Sequence, residues 1–315
     1  MKTKKIKNRI KIIIGCVITL TLTVLLVLYA GHRLDAYEAE DGYDAIKAFH
    51  SLDEDSLDVI VYGSSHAWKG FDTGVLNEKY DISAYNYACN WQAINTSSLF
   101  LQDSLTTQSP KVVCIETHKV GSIEQDMDMD GQIYYTRQLP NSIAKLKYLY
   151  RCFKTDVERY VSYVFPLTMF HDNWNIITDE NYTESDPQRF VDSYGYYQQN
   201  ESTPCSIPDY TRFEQEEIGQ QSLEILDAMV ELCKENGITV IFFTVPWEGE
   251  DPYIQAMTEY AESRGCVYIN FFDNLDITGI SGDTDFHDAG HLNDSGAGKV
   301  ADYIGNYIIE NNLLD

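Results

Sequence analysis

The sequence predicts an α/β protein: a three-layer α/β/α domain around a central parallel sheet of about five strands, preceded by one N-terminal transmembrane helix. Three observations predict it. Five short apolar runs recur at residues 57–62, 82–88, 111–116, 238–244 and 266–271. Amphipathic stretches with apolar spacing near 3.6 lie between or after them, at 92–107, 214–235, 252–264 and 294–312. The first 30 residues join a basic tail to an uncharged apolar run. Strands that alternate with helices form a parallel sheet covered on both faces, so each strand reads as a continuous apolar run.

The N-terminal segment comes first. Lys2, Lys4, Lys5, Lys7, Arg9 and Lys11 precede residues 12–30, where no charged residue occurs. About 20 apolar residues suffice to cross the hydrocarbon core as a helix. Basic residues on one side of a span keep that side in the cytoplasm, so residues 31–315 are expected outside the cytoplasm and 1–11 inside. A cleaved signal peptide would end in a small-x-small site, and Tyr29-Ala30-Gly31 matches one poorly, so the span reads as an uncleaved anchor. The expected localisation is the cell membrane, single-pass.

The net charge is −26, and the six basic residues of the tail all precede the span. The exported part is therefore six units more negative still. Such a surface repels nucleic acid and anionic lipid headgroups. Of the seven cysteines, Cys16 lies in the span and the other six are scattered, with no CxxC pair and no Cys/His zinc spacing. Several, such as Cys114, sit inside apolar runs and read as buried thiols.

The first strand leads into Tyr62-Gly63-Ser64-Ser65-His66. Residues just beyond the carboxyl ends of parallel strands face the ligand crevice. A serine there is a candidate nucleophile, and glycine permits the tight turn. Residues 119–212 then break the β-α rhythm and read as an insertion that shapes access to the site. Near the C-terminus stands Asp285-Phe286-His287-Asp288-Ala289-Gly290-His291-Leu292-Asn293, followed by a helix capped by Asn293 or Asp294. A spacing of three lets the Asp288 carboxylate reach the His291 imidazole and fix its tautomer, which leaves the other ring nitrogen free to take a serine proton.

Gly63-Ser64-Ser65 and Asp288-Ala289-Gly290-His291 resemble the signature blocks of the SGNH/GDSL hydrolase superfamily, and Leu292-Asn293 and Gly296-Ala297 extend the likeness. The specific motifs cover some 20 residues. The resemblance implies an SGNH/flavodoxin-like fold, a serine hydrolase or acyltransferase with Ser65, Asp288 and His291 as its catalytic residues, and no cofactor or metal. Two blocks depart from the family. The run Asn86-Tyr87-Ala88-Cys89-Asn90-Trp91-Gln92 lacks the family's glycine, and the third strand ends Ile115-Glu116-Thr117-His118 where the family has an asparagine. The oxyanion donors implied are Ser65, Ala88, Trp91, Thr117 and His118. Similar departures occur in the branch of the DltD protein and the alginate acetyltransferases, which are anchored outside the membrane. That branch implies an acylated glycan or envelope polymer as substrate and a membrane O-acyltransferase as partner. His171 and Trp174, in Phe170-His171-Asp172-Asn173-Trp174, resemble a His-x-x-Trp stretch of such members, which implies substrate binding; a packing role inside the insertion is the competing reading.

Other readings compete for these residues. Ser64 could be the nucleophile in place of Ser65. His287, Asp288 and His291, with Asp283 and Asp285, could form a metal cluster, but that leaves Gly63-Ser64-Ser65 unexplained. Asp126-Met127-Asp128-Met129-Asp130-Gly131 copies half an EF-hand loop, but Arg137 occupies the place of the bidentate Glu. No G-x-S-x-G elbow, complete P-loop or dinucleotide fingerprint occurs. A non-catalytic accessory protein that keeps the fold and binds polymer or acyl carrier is the alternative function.

Overall fold

The computed structural model describes residues 2–35, 41–121, 133–153, 155–171 and 186–315. In chain order the first elements are α1 (Lys2–Asp35), α2 (Asp41–Phe49), β1 (Val59–Tyr62), α3 (Ser65–Trp68), α4 (Thr73–Tyr80), β2 (Ala84–Asn86), α5 (Ile94–Ser104) and β3 (Val112–Glu116). Four short helices follow: α6 (Ile143–Phe153), α7 (Val157–Val164), α8 (Leu167–Phe170) and α9 (Gln188–Asp192). The chain continues with α10 (Gln220–Glu235), β4 (Thr239–Thr244), α11 (Ile254–Arg264), β5 (Val267–Asn270), α12 (Leu275–Thr278), β6 (Phe286–Asp288), β7 (His291–Leu292) and α13 (Asp294–Glu310). The EF-hand-like run 126–131 lies outside the described residues.

Two compact units result. One joins residues 1–40 to 140–185, and the other holds 41–139 and 186–315. In the first, α1 carries an apolar window, Ile6–Gly31, with mean hydropathy 2.7 and no residue of its best stretch buried by protein. It is long and apolar enough to cross a membrane. α8 packs against α1, and α7 against both α6 and α8.

The second unit is the α/β domain that the apolar runs predict. Its sheet has the order β2-β1-β3-β4-β5, and every neighbouring pair is parallel. β1, β2 and β3 are buried along their whole length, because helices cover both faces. α4 and α13 pack together, as do α5 and α10. The observed strands are shorter than the apolar runs by one to four residues. The shed residues hydrogen-bond into the turns: Asp58 N donates to Ser83 O at 2.7 Å, and Lys111 N to Asp58 O at 2.9 Å. In this strand order the direction of winding reverses between β1 and β3, so a crevice opens beyond their carboxyl ends.

The structure adds a small antiparallel hairpin, β6 with β7, in which Asp288 pairs with His291. α13 starts at the predicted cap: the Asn293 side chain accepts from Ser295 N at 3.1 Å and Gly296 N at 3.2 Å. A Cβ at Gly296 would lie 2.4 Å from Asp285 O, so only glycine lets this helix close on the hairpin. All seven cysteines are free thiols.

Candidate active site

The site begins with the turn after β1. Gly63 adopts φ +151°, and a Cβ there would sit 2.5 Å from Glu116 Cβ and 2.9 Å from Ala67 Cβ. Glycine is therefore required both by conformation and by the closeness of β3. The next two serines take different tasks. Ser64 caps α3, and its hydroxyl accepts from His66 N at 3.3 Å while donating to Glu116 Oε2 at 2.9 Å. It is 1 % exposed. Ser65 is the first residue of α3, and its Oγ lies 2.9 Å from His291 Nε2. The competing register, with Ser64 facing the base, does not fit these contacts.

His291 is held from its other side. Its Nδ1 lies 3.0 Å from both Asp288 oxygens, and Gly290 N donates to Asp288 Oδ1 at 2.7 Å. The hairpin thus fixes carboxylate and imidazole one step apart. Glu248 N, in the loop after β4, donates to Ala289 O at 2.8 Å and braces the hairpin tip. Burial alone would raise the Asp288 carboxyl, but the hydrogen bonds from His291 and Gly290 outweigh it and hold it below the usual carboxylate range. Burial pushes the His291 imidazole down, and the Lys69 ammonium adds to that, while Asp288 pulls it partly back. The ring is therefore neutral at pH 7 and can accept a proton. Asp285 does not join this group. Lys299 Nζ, Ser295 Oγ and Ser281 N bind it at 2.6, 2.7 and 2.7 Å, so it fastens the hairpin to α13 rather than serving a metal.

Two contributors escaped the sequence reading. Glu116 ends β3 and is buried, and its carboxylate accepts from Ser64 N at 3.2 Å, from Ser64 Oγ and from His118 N. It ties the turn of the candidate nucleophile to the loop after β3. A glutamate closing an otherwise apolar strand was the available signal. Lys69 is the second: it is the C-cap of α3, and its charge bears on both His291 and Asp288.

The expected oxyanion residues divide. The Ser65 N–H, at the start of a helix, has no acceptor within it. Trp91 stands in the loop after β2 with φ +60°, a backbone conformation that non-glycine residues rarely adopt. Cys89 N donates to Gly63 O at 3.3 Å and brings that loop against the serine turn. Half-buried Asn90 lies between them. Ala88, by contrast, is buried with its N–H on Asn86 Oδ1 at 3.2 Å. Thr117 is buried too, its hydroxyl 2.7 Å from Thr244 Oγ1 and its N–H on Phe243 O. Both spend their donors inside the fold, which corrects the expectation for them. His118 gives its N–H to Glu116, and its ring stacks on His66 at 3.8 Å between centroids. Burial first, and then His118 and His291, push the His66 imidazole well below its usual range.

His171 follows α8 in the other unit, exposed, with Nδ1 3.1 Å from Thr168 O. Trp174 lies outside the described residues.

Two predictions arise here. Lys69→Gln removes a cation that disfavours the imidazolium, so the His291 pKa should rise. The acid limb of kcat/KM against pH should then move to higher pH, and an unmoved limb would disprove the coupling. Glu116→Gln turns an amide donor toward groups that are themselves donors. Leaving one of them unsatisfied costs about 1–3 kcal/mol, and the loosened turn should lower kcat by about 10–100-fold with little change in KM. Wild-type kcat in this variant, measured with a thermal melt as control, would exclude a positioning role.

No family model matches the chain. No curated protein matches it either. Among solved structures, it is similar to a Bacteroides fragilis protein described as a candidate acylhydrolase, with 13% sequence identity and a TM-score of 0.41. The match covers 86% of this chain and 95% of that chain.

Proposed function

We propose that this chain is a serine esterase or O-acyltransferase, anchored in the membrane by α1 and working outside the cytoplasm on acyl esters of cell-envelope glycans or polymers. One observation carries the reading: Ser65 Oγ, His291 Nε2, His291 Nδ1 and the Asp288 carboxylate form one hydrogen-bonded line at 2.9 and 3.0 Å, at the carboxyl end of a parallel sheet. A lone serine is a weak nucleophile at neutral pH, and a base oriented by a carboxylate is what activates it.

In this reading His291 takes the Ser65 proton as Oγ attacks the ester carbonyl. Ser65 N–H and donors of the Asn90–Trp91 loop receive the negative oxygen. His291 then gives its proton to the departing alkoxide, which leaves an acyl-Ser65. Water or a sugar hydroxyl, deprotonated by His291, takes the acyl group and restores the serine. Hydrolysis and transfer differ only in which acceptor reaches that intermediate. The envelope substrate rests on the anchor and on the sequence resemblance.

The test is turnover of a nitrophenyl acetate by the full chain, with a fluorophosphonate probe to label the nucleophile. Absence of both in the folded protein would overturn the reading. Orientation has its own test: protease added to intact cells should cut the chain after residue 31 and spare the basic tail. Protection of the α/β domain would reverse the topology.

A further inference from the structure

The unit that holds α1 also holds α6, α7 and α8. Four residues of α6 are exposed: Ile143 at 75 %, Tyr150 at 63 %, Lys147 and Arg151. At 3.6 residues per turn they fall within about 100° of arc, so they form one stripe. Lys145, Tyr148, Leu149 and Phe153 are buried in the same helix. Val157, which opens α7, is 70 % exposed.

Charge sets this segment apart. No acidic residue occurs between Asp130 and Asp156, while Arg137, Lys145, Lys147, Arg151 and Lys154 all do. The chain as a whole carries −26. A stripe that joins Ile and Tyr to Lys and Arg has the composition of a helix lying in a membrane interface. Its apolar side chains enter the boundary of headgroups and acyl chains, and its cations meet lipid phosphates.

Position supplies a second, independent observation. Gly31, the last residue of the apolar window, is buried against α8, and a Cβ there would lie 2.5 Å from Leu167 N. α8 therefore sits where the chain leaves the hydrocarbon, and α7 connects it by contact to α6.

We infer that the stripe Ile143, Lys147, Tyr150 and Arg151 docks on the anionic phospholipid surface of the membrane that α1 crosses. The inference rests on the anchoring role of α1. It revises the expectation that the acidic exported part stands off anionic lipid throughout: the repulsion does not extend to this helix. Docking gives the anchor unit a second hold on the bilayer, beyond the span.

The experiment places the full chain in nanodiscs of phosphatidylcholine, with or without phosphatidylglycerol. The discs carry a photoactivatable lipid reactive at glycerol depth, and labelled peptides are mapped by mass spectrometry. α1 should be labelled in both discs, and residues 143–151 in the phosphatidylglycerol discs. The pair Lys147→Glu and Arg151→Glu should reduce labelling of 143–151 on the order of tenfold and leave that of α1 unchanged. These side chains are exposed, and circular dichroism controls for folding. Ile143→Ser with Tyr150→Ser should reduce it through lost insertion instead. If α1 is labelled and 143–151 is not, or if labelling ignores all four substitutions, the docking is overturned with the anchor intact. If α1 is unlabelled, anchor and docking fall together. Cross-links from the stripe to another protein copy in place of lipid would make it a protein interface and overturn the lipid assignment.

Discussion

Ser65→Ala should abolish turnover and fluorophosphonate labelling together, with a fall in kcat on the order of 10⁶ by analogy with a well-studied triad. His291→Ala should do nearly the same, because groups that act as a unit lose their effect when any one is removed. Both expectations follow from the 2.9 Å contact between Ser65 Oγ and His291 Nε2. Ser64→Ala separates the two serines. Its hydroxyl caps α3 and binds Glu116, so its loss should cost about 1 kcal/mol of stability. Labelling should persist at Ser65. Labelling lost in Ser64→Ala and kept in Ser65→Ala would move the nucleophile by one residue. A folded wild-type protein that neither turns over ester nor takes label, yet binds envelope polymer, would instead be the non-catalytic accessory protein. The departures in the loops after β2 and β3 would then explain the lost chemistry.

How far the sequence carried this reading depends on the kind of interaction. The five strands were legible because a buried parallel strand must be apolar throughout, as Val59-Ile60-Val61-Tyr62 and Val112-Val113-Cys114-Ile115 are. Their parallel direction and the helical cover follow from alternation with helices. α4 was missed because its apolar residues are sparse, with only Thr73 and Leu76 buried. The β6–β7 hairpin escaped because strands of three and two residues show no period. The site divides in the same way. Asp288 and His291 are three residues apart, so local geometry sufficed to pair them. Glu116 meets Ser64 across 52 positions, and that contact exists only once β1 and β3 are neighbours. The oxyanion donors were least legible. Whether Ala88 or Thr117 has an N–H or hydroxyl to spare depends on Asn86 and Thr244, which no spacing rule reveals.

Asp288→Asn should keep the fold and lower kcat on the order of 10⁴. The carboxylate accepts from His291 Nδ1 at 3.0 Å, which places the ring proton there and leaves the Nε2 lone pair facing Ser65 Oγ. An asparagine can present its amide nitrogen to the ring instead. Nδ1 then accepts, the proton moves to Nε2, and a donor faces the serine hydroxyl where a base is needed. The charge matters separately. When His291 takes the Ser65 proton it becomes a cation, and Asp288 is the anion beside it. Lys69 opposes that cation, so removing Asp288 leaves the imidazolium with a repulsive neighbour and without its attractive carboxylate. Asp288→Asn should therefore also push the His291 pKa further down, and residual activity should have its acid limb at lower pH than wild type. Gly290 N loses little, because the asparagine oxygen can still accept it. A loss under tenfold, or an acid limb moved to higher pH, would mean that Asp288 neither sets the tautomer nor supports the charge.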